Sequence, residues 1–395
     1  MSKWEWKKLG DLYPIVMGKT PPRGDPSCWD KSKRTNNVWV TIADISSNEN
    51  QVITESKEYI SDKATKNISL VSPKSLLLSF KLSIGKMAFA GVPLYTNEAI
   101  VNFPPIKDID LHYLHKYFLY YNWDKASEGD TKVKGKTLNK EKLKNIDIPI
   151  PPLSEQKRIV KFLDEEFSKI DTLKTNAETN LKNAKELFEA SLEKELNPRS
   201  RHSERSEESS AELPSGWEWV ALNNVCKKIF AGGDKPQNCS KKSNEILSVP
   251  VYANAIENEG LYGYTDKAVV KEPCLTISAR GTIGFTVKRT EPFVPIIRLI
   301  VLIPKMDVID LDYFFFSVKH LKIVGNGTSI PQLTVPLVKQ YTIPLPPLSV
   351  QKEIVARLDK LSENVKRLEA NYKKIIANCD ELKKSILKKT FEGES

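Results

Sequence analysis

Two tripeptides in the chain look like the end of a phosphate-binding loop, in which backbone N–H groups and a lysine hold the phosphates of a nucleotide. They are Gly18–Thr20 and Gly135–Thr137, both of sequence Gly-Lys-Thr. The motif requires another glycine five residues earlier, and Tyr13 and Asp130 stand there instead. Pro21 also prevents a helix directly after the first tripeptide. We therefore predict that neither tripeptide binds a nucleotide.

Histidine and cysteine are the other residue types that would suit catalysis or metal binding. His112 and His115 are one helical turn apart, but no third ligand accompanies them, so we interpret them as partly exposed helix residues. The cysteines are odd in number and scattered, and no Cys-x-x-Cys pair occurs, which predicts free thiols. They are Cys28, Cys226, Cys239, Cys274 and Cys379.

A methyltransferase or nuclease centre is not recognisable in the sequence. Residues 102–105, Asn-Phe-Pro-Pro, have the wrong order for the Asn-Pro-Pro-aromatic loop of amino-methyltransferases, and no Gly-rich loop for a methyl donor accompanies them. No pair of carboxylates with a lysine indicates a nuclease. We expect the chain to have no catalytic centre, metal site or cofactor of its own. A methyltransferase-related protein with an unrecognised active site is the alternative.

Length and charge limit the remaining classes of protein. A chain of 395 residues is too long for one ordinary core, and its 40% of hydrophobic residues suffices for two or more domains. Lys and Arg total 60 against 50 for Asp and Glu, and the net charge of +10 favours a polyanionic partner. No run of about 18 apolar residues predicts a membrane span, and the N-terminus lacks a signal peptide. We expect a cytoplasmic protein without a membrane partner.

The elements that must position any functional residues occur twice. Residues 148–164 have the sequence IPIPPLSEQKRIVKFLD, and 195 residues later, at 343–359, the sequence is IPLPPLSVQKEIVARLD. The Trp-Glu-Trp of residues 4–6 returns at 217–219. The chain is therefore predicted to contain two copies of one order: a Trp-rich start, a mixed body, a Pro-rich hinge and a long charged helix.

Each hinge predicts an extended strand followed at once by a helix. Proline fixes its own φ, restricts the backbone conformation of the residue before it, and lacks the backbone N–H that would donate a hydrogen bond. The helix is therefore expected to begin only after the prolines. Ser154 and Ser349 are the candidate N-caps. Glu155 lies in the first turn, where it suits the helix dipole, and Val350 takes its place in the second copy.

The second long helix has a heptad pattern that predicts a coiled coil of roughly 40 residues, or about 60 Å. Its predicted seam is Ile354, Leu358, Leu361, Val365, Leu368, Tyr372, Ile375, Cys379, Leu382 and Ile386. The equivalent seam of the first helix is smaller and partly polar, so we expect the two helices to pair antiparallel within the chain. That seam is Ile159, Leu163, Glu166, Ile170, Leu173, Ala177, Asn180, Ala184, Leu187 and Ser191. Homodimerisation through this helix is the alternative.

Each body is predicted to be mixed α and β. Strands are expected at 38–45, 75–80 and 86–90 and a helix at 111–121, because their apolar spacing has the corresponding periods. The second body has the expected strands LSVPVYAN, CLTISA, GFTVK and IIRLIVLIP, and a helix at 311–321. Between the copies, residues 197–213 are Ser, Glu and Arg with almost no apolar residue, which is typical of a solvated linker.

The two hinges, PIPPLSEQKRIV and PLPPLSVQKEIV, each of which opens a long helix, resemble the conserved regions of the type I restriction-modification specificity subunit. The segment SARGTIG at 278–284 and the Trp-Glu-Trp start of each half resemble that family too. The resemblance covers essentially the whole chain by architecture, while the specific motifs cover about a sixth. One departure is Lys81-Leu82-Ser83, which stands where the second copy has Arg280-Gly281-Thr282, so we expect these loops to differ.

The resemblance implies an α+β fold with two target-recognition domains, separated by two long antiparallel helices that form an intramolecular coiled coil with pseudo-twofold symmetry. The implied order is a first recognition domain at 1–147, a hinge and helix at 148–196, the linker at 197–213, a second recognition domain at 214–342, and a hinge and helix at 343–395. It also implies double-stranded DNA as partner, two methyltransferase subunits, and restriction or translocase subunits. Methyl donor and ATP then belong to the partners, and the chain itself is not catalytic.

Candidate contact residues follow from the implied function. Basic side chains in loops would bind phosphates while polar neighbours recognise base edges. The candidates are Lys81, Lys86, Lys132, Lys134 and Lys136 in the first body, and Lys235, Arg280 and Lys288 in the second. Gln156, Lys157, Gln351 and Lys352 recur at equivalent places and are the candidates for binding the methyltransferase subunits. Surface charge alone, helix capping alone and a coiled-coil scaffold without DNA binding are the alternatives.

Overall fold

The computed structural model describes residues 4–126, 131–132, 135–136, 138–196, 214–321, 323–325 and 331–392. The predicted linker at 197–213 and Lys134 lie outside the described residues. By its contacts the chain divides into unit 1, Met1–Ala177 with Lys374–Ser395, and unit 2, Glu178–Lys373. Both boundaries fall inside long helices, so each unit consists of a head and segments of two helices.

The head of unit 1 consists of short strands and helices. The strands are β1 Glu5–Lys8, β2 Val38–Val40, β3 Val52–Ile53, β4 Glu58–Tyr59, β5 Leu76–Ser79, β6 Met87–Ala90, β7 Leu94–Thr96, β8 Ile100–Phe103, β9 Thr131–Lys132, β10 Gly135–Lys136 and β11 Asp147–Ile150. The helices are α1 Leu9–Leu12, α2 Ile42–Ser47, α3 Asp62–Thr65, α4 Leu111–Tyr120, α5 Trp123–Ala126 and α6 Lys140–Lys144, with a 3-10 turn at Pro26–Cys28.

The sheets of the first head are small and mixed. One has the order β3-β6-β5-β8, with β5 antiparallel to both neighbours, and another has the order β4-β2-β7. Strand β5 is buried along its whole length, and Leu76 and Leu78 pack in one core with Tyr113, Leu114 and Phe118 of α4. An apolar strand buried on both faces needs such a cover, and α4 supplies it.

The strand predicted at 38–45 is only partly correct. Strand β2 ends at Val40, and Thr41 begins helix α2 as the N-cap of a capping box with Asp44. Because the capping box satisfies free backbone donors at the helix start, it overrides the β propensity of the sequence. The strands predicted near 75–80 and 86–90 and the helix near 111–121 are confirmed as β5, β6 and α4.

The first long helix, α7, spans Leu153–Leu196, and unit 2 continues after it with a second head. The strands there are β12 Glu218–Ala221, β13 Cys226–Ala231, β14 Val249–Tyr252, β15 Leu261–Thr265, β16 Cys274–Ile277, β17 Thr286–Arg289, β18 Val294–Pro295, β19 Ile300–Pro304 and β20 Thr342–Leu345. The helices are α8 Leu222–Val225, α9 Leu311–His320 and α10 Val335–Gln340, with a 3-10 turn at Glu257–Gly260, and the second long helix is α11, Leu348–Glu392.

The sheets of the second head have the orders β13-β19-β16-β17 and β15-β14-β18. The strand predicted from IIRLIVLIP begins later than expected, because Ile297 and Arg298 have φ of 52° and 64° and cannot continue an extended strand. The other strands predicted for this head are confirmed as β14, β16 and β17, and the predicted helix is α9.

The starts of both long helices differ from the prediction that serines cap them. The carbonyl of Pro152 accepts from the N–H groups of Glu155 and Gln156, at 2.8 and 3.0 Å, and the carbonyl of Pro347 accepts from Gln351 at 3.0 Å. The last proline of each hinge is therefore the N-cap residue. Ser154 and Ser349 already lie within the first turn, so the prediction that they cap the helices is wrong.

The predicted seams are buried only in part. Ile159, Leu163, Ile170, Ala177 and Ala184 of α7 are buried, as are Ile354, Leu358, Val365 and Cys379 of α11. Leu173, Leu187, Leu368 and Leu382 were predicted in the seams and are exposed. Leu192, Leu196, Leu387 and Phe391 are buried instead, near the helix ends where each helix meets a head.

Candidate nucleic-acid interface

A loop between β5 and β6 closes tightly at one end of the first head. The N–H of Ser79 donates to the carbonyl of Lys86, and the N–H of Gly85 donates to the carbonyl of Ser79, both at 2.9 Å. Leu82 and Gly85 have φ of 64° and 88°. Leu82 is thus a non-glycine residue in the left-handed region, and its side chain is 58% exposed. Such strain is found most often at functional sites.

Two other segments of the first head meet this loop. The N–H of Phe80 donates to the carbonyl of Ala99 at 3.0 Å, and the hydroxyl of Thr20 donates to the carboxylate of Glu98. We call residues 19–20, 80–85 and 98–99 the first loop end. The N–H of Leu138 donates to the carbonyl of Phe80 at 3.0 Å. Leu138, which follows the β9–β10 hairpin in the chain, therefore contacts the first loop end.

The second head has the same arrangement. The N–H of Ser278 donates to the carbonyl of Phe285 at 2.9 Å, and Gly281 and Gly284 have φ of 69° and 86°. The N–H of Leu333 donates to the carbonyl of Ala279, as Leu138 does to Phe80. We call residues 232–235, 279–284, 297–298 and 332 the second loop end. The positive φ values fall at matching positions, so the two loops share this backbone feature, while the side chains at 81–83 and 280–282 differ as the sequence predicts.

Several predicted DNA-contact residues belong to these loop ends. Lys81 is half-buried, with its ammonium 5.3 Å from the centroid of the Phe80 ring. Arg280 is exposed and donates to the side-chain oxygen of Gln332 at 3.0 Å. Lys235 is exposed in the second loop end. Lys132 and Lys136 lie on β9 and β10, but their side chains, like all of Lys134, lie outside the described residues. Basic side chains at one end of each head are what phosphate binding requires.

Lys86 and Lys288 are both engaged in ion pairs with their own head. Lys86 pairs with Glu49, and Lys288, on β17, pairs with Asp312 in the first turn of α9. Lys288 therefore lies beside α9 and not within the second loop end. Each carboxylate offsets the charge of its lysine, so these two are weaker candidates for phosphate contacts than Lys81 and Arg280.

The recurring glutamines have a structural role in both halves. The side-chain oxygen of Gln156 accepts from the N–H of Asp110 at 2.8 Å, and its amide donates to the carbonyls of Asp108 and Pro151 at 3.0 and 2.9 Å. Gln351 forms the equivalent bonds with Asp310, Val308 and Pro346, at 2.8, 3.2 and 2.8 Å.

Both amides are fully buried, so they cannot contact a partner subunit as the sequence suggested. Each holds the start of its long helix against the N-terminus of the head helix, α4 or α9. Tyr113 and Tyr313 strengthen these junctions, because their hydroxyls donate to the hinge carbonyls of Pro149 and Pro344 at 2.7 and 2.6 Å. Lys157 and Lys352, which follow the glutamines, are exposed and stay predictions as partner contacts.

The two histidines of the first head are not a matched pair. His115 is buried, contrary to the prediction, and its Nε2 lies 2.7 Å from Oδ1 of Asn50. Burial lowers the pKa of His115 to about 4, which keeps its imidazole neutral near pH 7. His112 is exposed. Within the described ranges, no group of three or more His, Cys, Asp or Glu side chains is placed to hold a metal ion.

A basic and aromatic cluster in the first head and a strained turn in the second were not predicted from the sequence. Arg23 donates to the carboxylate of Glu58, and its guanidinium lies 4.2 Å from the ring centroid of Trp29 and 4.8 Å from that of Trp39. The turn at Ile297 and Arg298 was hidden in an apolar run. The only indication of it in the sequence is an arginine inside a predicted buried strand.

Comparison with known proteins assigns the family. The model of the type I restriction modification DNA specificity domain matches residues 1–183 and 214–377. The chain belongs to this family. None of the helices in the described part of this family member combines the length and apolar character that a membrane span requires.

Curated relatives of this specificity-domain protein come from bacteria and archaea. A putative type I specificity subunit of Mycoplasma pneumoniae, S.MpnORF507P, is 29% identical over 224 residues, which is 57% of each chain. The MjaIX specificity subunit of Methanocaldococcus jannaschii is 24% identical over 416 residues, covering 99% of this chain and 93% of the relative. The first curated relatives are matched over about half of their length, 57% and 42% for the two from Mycoplasma pneumoniae.

Solved structures share the fold over the full length. A chain from a structural study of complex assembly and conformational transition in the type I R-M system superposes with a TM-score of 0.78 at 20% identity, covering 100% of this chain and 99% of that one. The HsdS subunit from Thermoanaerobacter tengcongensis gives a TM-score of 0.62 at 18% identity, with coverage of 100% and 98%. At these identities the likeness concerns the mixed α+β fold.

Proposed function

We propose that this chain is the DNA-recognition subunit of a type I restriction-modification complex, and that each head recognises one half of a bipartite sequence in double-stranded DNA. The observation that carries the proposal is the pair of loop ends, which share a backbone scaffold and differ in side chains. Lys81 corresponds to Arg280, and Glu98 corresponds to Ile297 in the register of the neighbouring strands. A common frame with unlike contact residues is suited to recognising two unlike half-sites.

We also propose that α7 and α11 form an antiparallel coiled coil within the chain, which gives it pseudo-twofold symmetry. In unit 1, Lys174 lies 2.8 Å from Asp380, and Lys383 pairs with Asp171, so residue numbers rise along one helix as they fall along the other. In unit 2, Arg357 lies 2.7 Å from Glu195, which fits the same direction. These exposed pairs add little stability, but they favour one register.

The coiled coil would then set the spacing between the half-sites. Helix α7 has 44 residues, which is about 66 Å at about 1.5 Å per residue. Half-sites recognised on one face of DNA are separated by roughly 34 Å or a multiple of it. The buried glutamine and tyrosine bonds at each junction would keep each head from pivoting on its helix. A stiff helix pair with fixed junctions therefore supports a spacer of constant length.

Two methyltransferase subunits would dock on the exposed helix faces. In unit 1, Phe162, Leu173 and Leu382 are exposed, and in unit 2 Leu187 and Leu368 are exposed. Exposed apolar residues on both helices of each unit fit two copies of one partner, and Lys157 and Lys352 are exposed at the helix starts. In this proposal the chain is non-catalytic, and methylation, ATP use and cleavage belong to the methyltransferase and restriction subunits.

Selection from a random DNA library tests the function. The chain is assembled with the methyltransferase subunits of its own host, mixed with a pool of random 40-bp duplexes, and the bound duplexes are sequenced. We expect two short motifs separated by a gap of fixed length. Binding without any motif would favour a coiled-coil scaffold with general affinity for polyanions. Methyl-donor binding by the purified chain alone would favour the methyltransferase alternative.

A further inference from the structure

The turn that precedes β19 is one of two segments of the second head in which consecutive non-glycine residues have positive φ. Ile297 and Arg298 are consecutive non-glycine residues with φ of 52° and 64°. A positive φ is a genuine outlier for a β-branched residue such as isoleucine, because its branched side chain crowds the backbone. The side chain of Ile297 is nevertheless 48% exposed, so core packing does not explain the cost.

Three hydrogen bonds to two other segments of the chain hold this turn in place. The N–H of Ile297 donates to the carbonyl of Gly233 at 2.9 Å, and the N–H of Arg298 donates to that of Gly232 at 3.3 Å. The side-chain amide of Asn254 donates to the carbonyl of Ile297 at 2.5 Å, and its oxygen accepts from the N–H of Ala279 at 2.8 Å. The turn is therefore fixed before any ligand binds, and Asn254 ties it to the loop of Arg280.

Arg298 is exposed, and among the described residues its guanidinium has no ion-pair or hydrogen-bond partner. It lies in the second loop end with Arg280 and Lys235, whose side chains are exposed too. An unpaired guanidinium on a rigid backbone is suited to bidentate binding, because little conformational freedom is lost when the bonds form.

The chemistry of the two side chains suits base edges in the major groove. A guanidinium donates in bidentate fashion to O6 and N7 of guanine, and an apolar side chain contacts the methyl group of thymine. The corresponding turn of the first head has Glu98 and Ala99 at these two positions. Glutamate is an acceptor and is suited to the amino group of cytosine. In the register of the neighbouring strands Glu98 corresponds to Ile297 and Ala99 corresponds to Arg298, so the two heads present different side chains at both positions of this turn.

We propose that Ile297 and Arg298 are specificity-determining residues of the second head, in which Arg298 binds a guanine edge and Ile297 contacts the adjacent base. Asn254 is the positioning residue that holds the turn. The inference rests on the proposed function, because it assigns the base-contacting residues of one half-site. It predicts that changes at this turn affect one half of the recognised sequence and leave the other half unchanged.

The test uses the full chain with its methyltransferase subunits and the same pool of random 40-bp duplexes. Arg298→Lys keeps the charge and loses the bidentate geometry. We expect the preference for guanine at one or two positions of one half-site to fall by roughly 5- to 150-fold. The other half-site and the gap should stay as they are. Lys271→Ala removes an exposed charge at the opposite end of β16, and this control should leave both half-sites unchanged.

A second variant separates recognition from structure. Ile297→Gly removes the side chain and relieves the positive φ, so the thermal midpoint should stay constant or rise. The base preference next to the guanine should nevertheless weaken. Normal sequence selection by both variants, while the unmodified complex selects a bipartite motif, would overturn the inference and leave the proposed function intact. Failure of the unmodified complex to select any motif would instead reject the proposed function.

Discussion

The side-chain oxygen of Gln156 accepts a hydrogen bond from the backbone N–H of Asp110 at 2.8 Å, and this bond joins the start of a long helix to the start of a head helix. Gln351 and Asp310 form the same bond in the second half, also at 2.8 Å. Each glutamine is fully buried and donates two further bonds to carbonyls. The junction between head and helix therefore depends on one amide in each half.

Removal of the Gln156 amide should destabilise the first half. In Gln156→Ala the N–H of Asp110 and two carbonyls lose their partner, which costs about 1–3 kcal/mol of unfolding free energy. Gln156→Glu should be nearly as harmful, because a carboxylate cannot donate to the carbonyls. Urea unfolding measures the effect, and Lys157→Ala, one residue further on, should change stability by less than about 0.5 kcal/mol. Equal stability of the two alanine variants would contradict this role.

The buried His115 should make stability depend on pH. Its pKa of about 4 in the folded chain lies below the ordinary value of about 6.5, so the unfolded chain binds the proton first as the pH falls. The free energy of unfolding should therefore decrease as the pH falls from about 6.5 to about 4, by about 2 kcal/mol between pH 7 and pH 5. His115→Gln should remove this part of the pH dependence. His112→Gln, which changes an exposed histidine of the same helix, should retain it, and loss of the dependence in both variants would reject the assignment.

Leu82 and Gly281 occupy matching positions with positive φ in the two loops. A glycine in place of Leu82 and an alanine in place of Gly281 should therefore change the free energy of unfolding in opposite directions. Leu82→Gly relieves a positive φ and should raise the free energy of unfolding by up to about 1 kcal/mol. Gly281→Ala imposes the same strain and should lower it by about 1 kcal/mol, although the new Cβ meets no other atom within 4 Å. Thermal unfolding of both variants measures the difference. Two changes of the same sign would show that the loops do not share one conformation.

Salt dependence distinguishes a phosphate contact from an ordinary surface charge. If Lys81 binds a phosphate, Lys81→Ala should reduce the slope of log affinity against log salt by about 0.9. The preferred sequence should stay the same, because phosphate contacts carry no sequence information. Lys161→Ala changes an exposed lysine of α7 and should leave the slope unaltered. An unaltered slope for Lys81→Ala would remove this residue from the interface.

The hinges and long helices could be predicted because local chemistry determines them. Prolines end the strands at Ile150 and Leu345, and the helices that follow bury apolar residues with helical spacing. The exposure of Leu368 and Leu382 could not be predicted, since it depends on which face meets the partner helix and not on the heptad alone.

Long-range backbone contacts explain most of the remaining errors. The role of Gln156 depends on an N–H group 46 residues earlier in the chain, and no local pattern reveals that distance. The turn at Ile297 and Arg298 contradicts the β propensity of its own sequence, and bonds to Gly232, Gly233 and Asn254 hold it. Local propensity fails where distant groups impose a conformation, and here that happens at a candidate recognition loop.

The most direct test of the account is to shorten both helices by one heptad and to measure the gap between the half-sites. Removal of residues 171–177 and 377–383, which contain the ion-paired Asp171, Lys174, Asp380 and Lys383, shortens each helix by about 10 Å, or roughly 3 bp of DNA. Sequencing of selected duplexes should give the same two half-sites with a gap about 3 bp shorter. The same half-sites with an unchanged gap would show that the helices do not set the spacing.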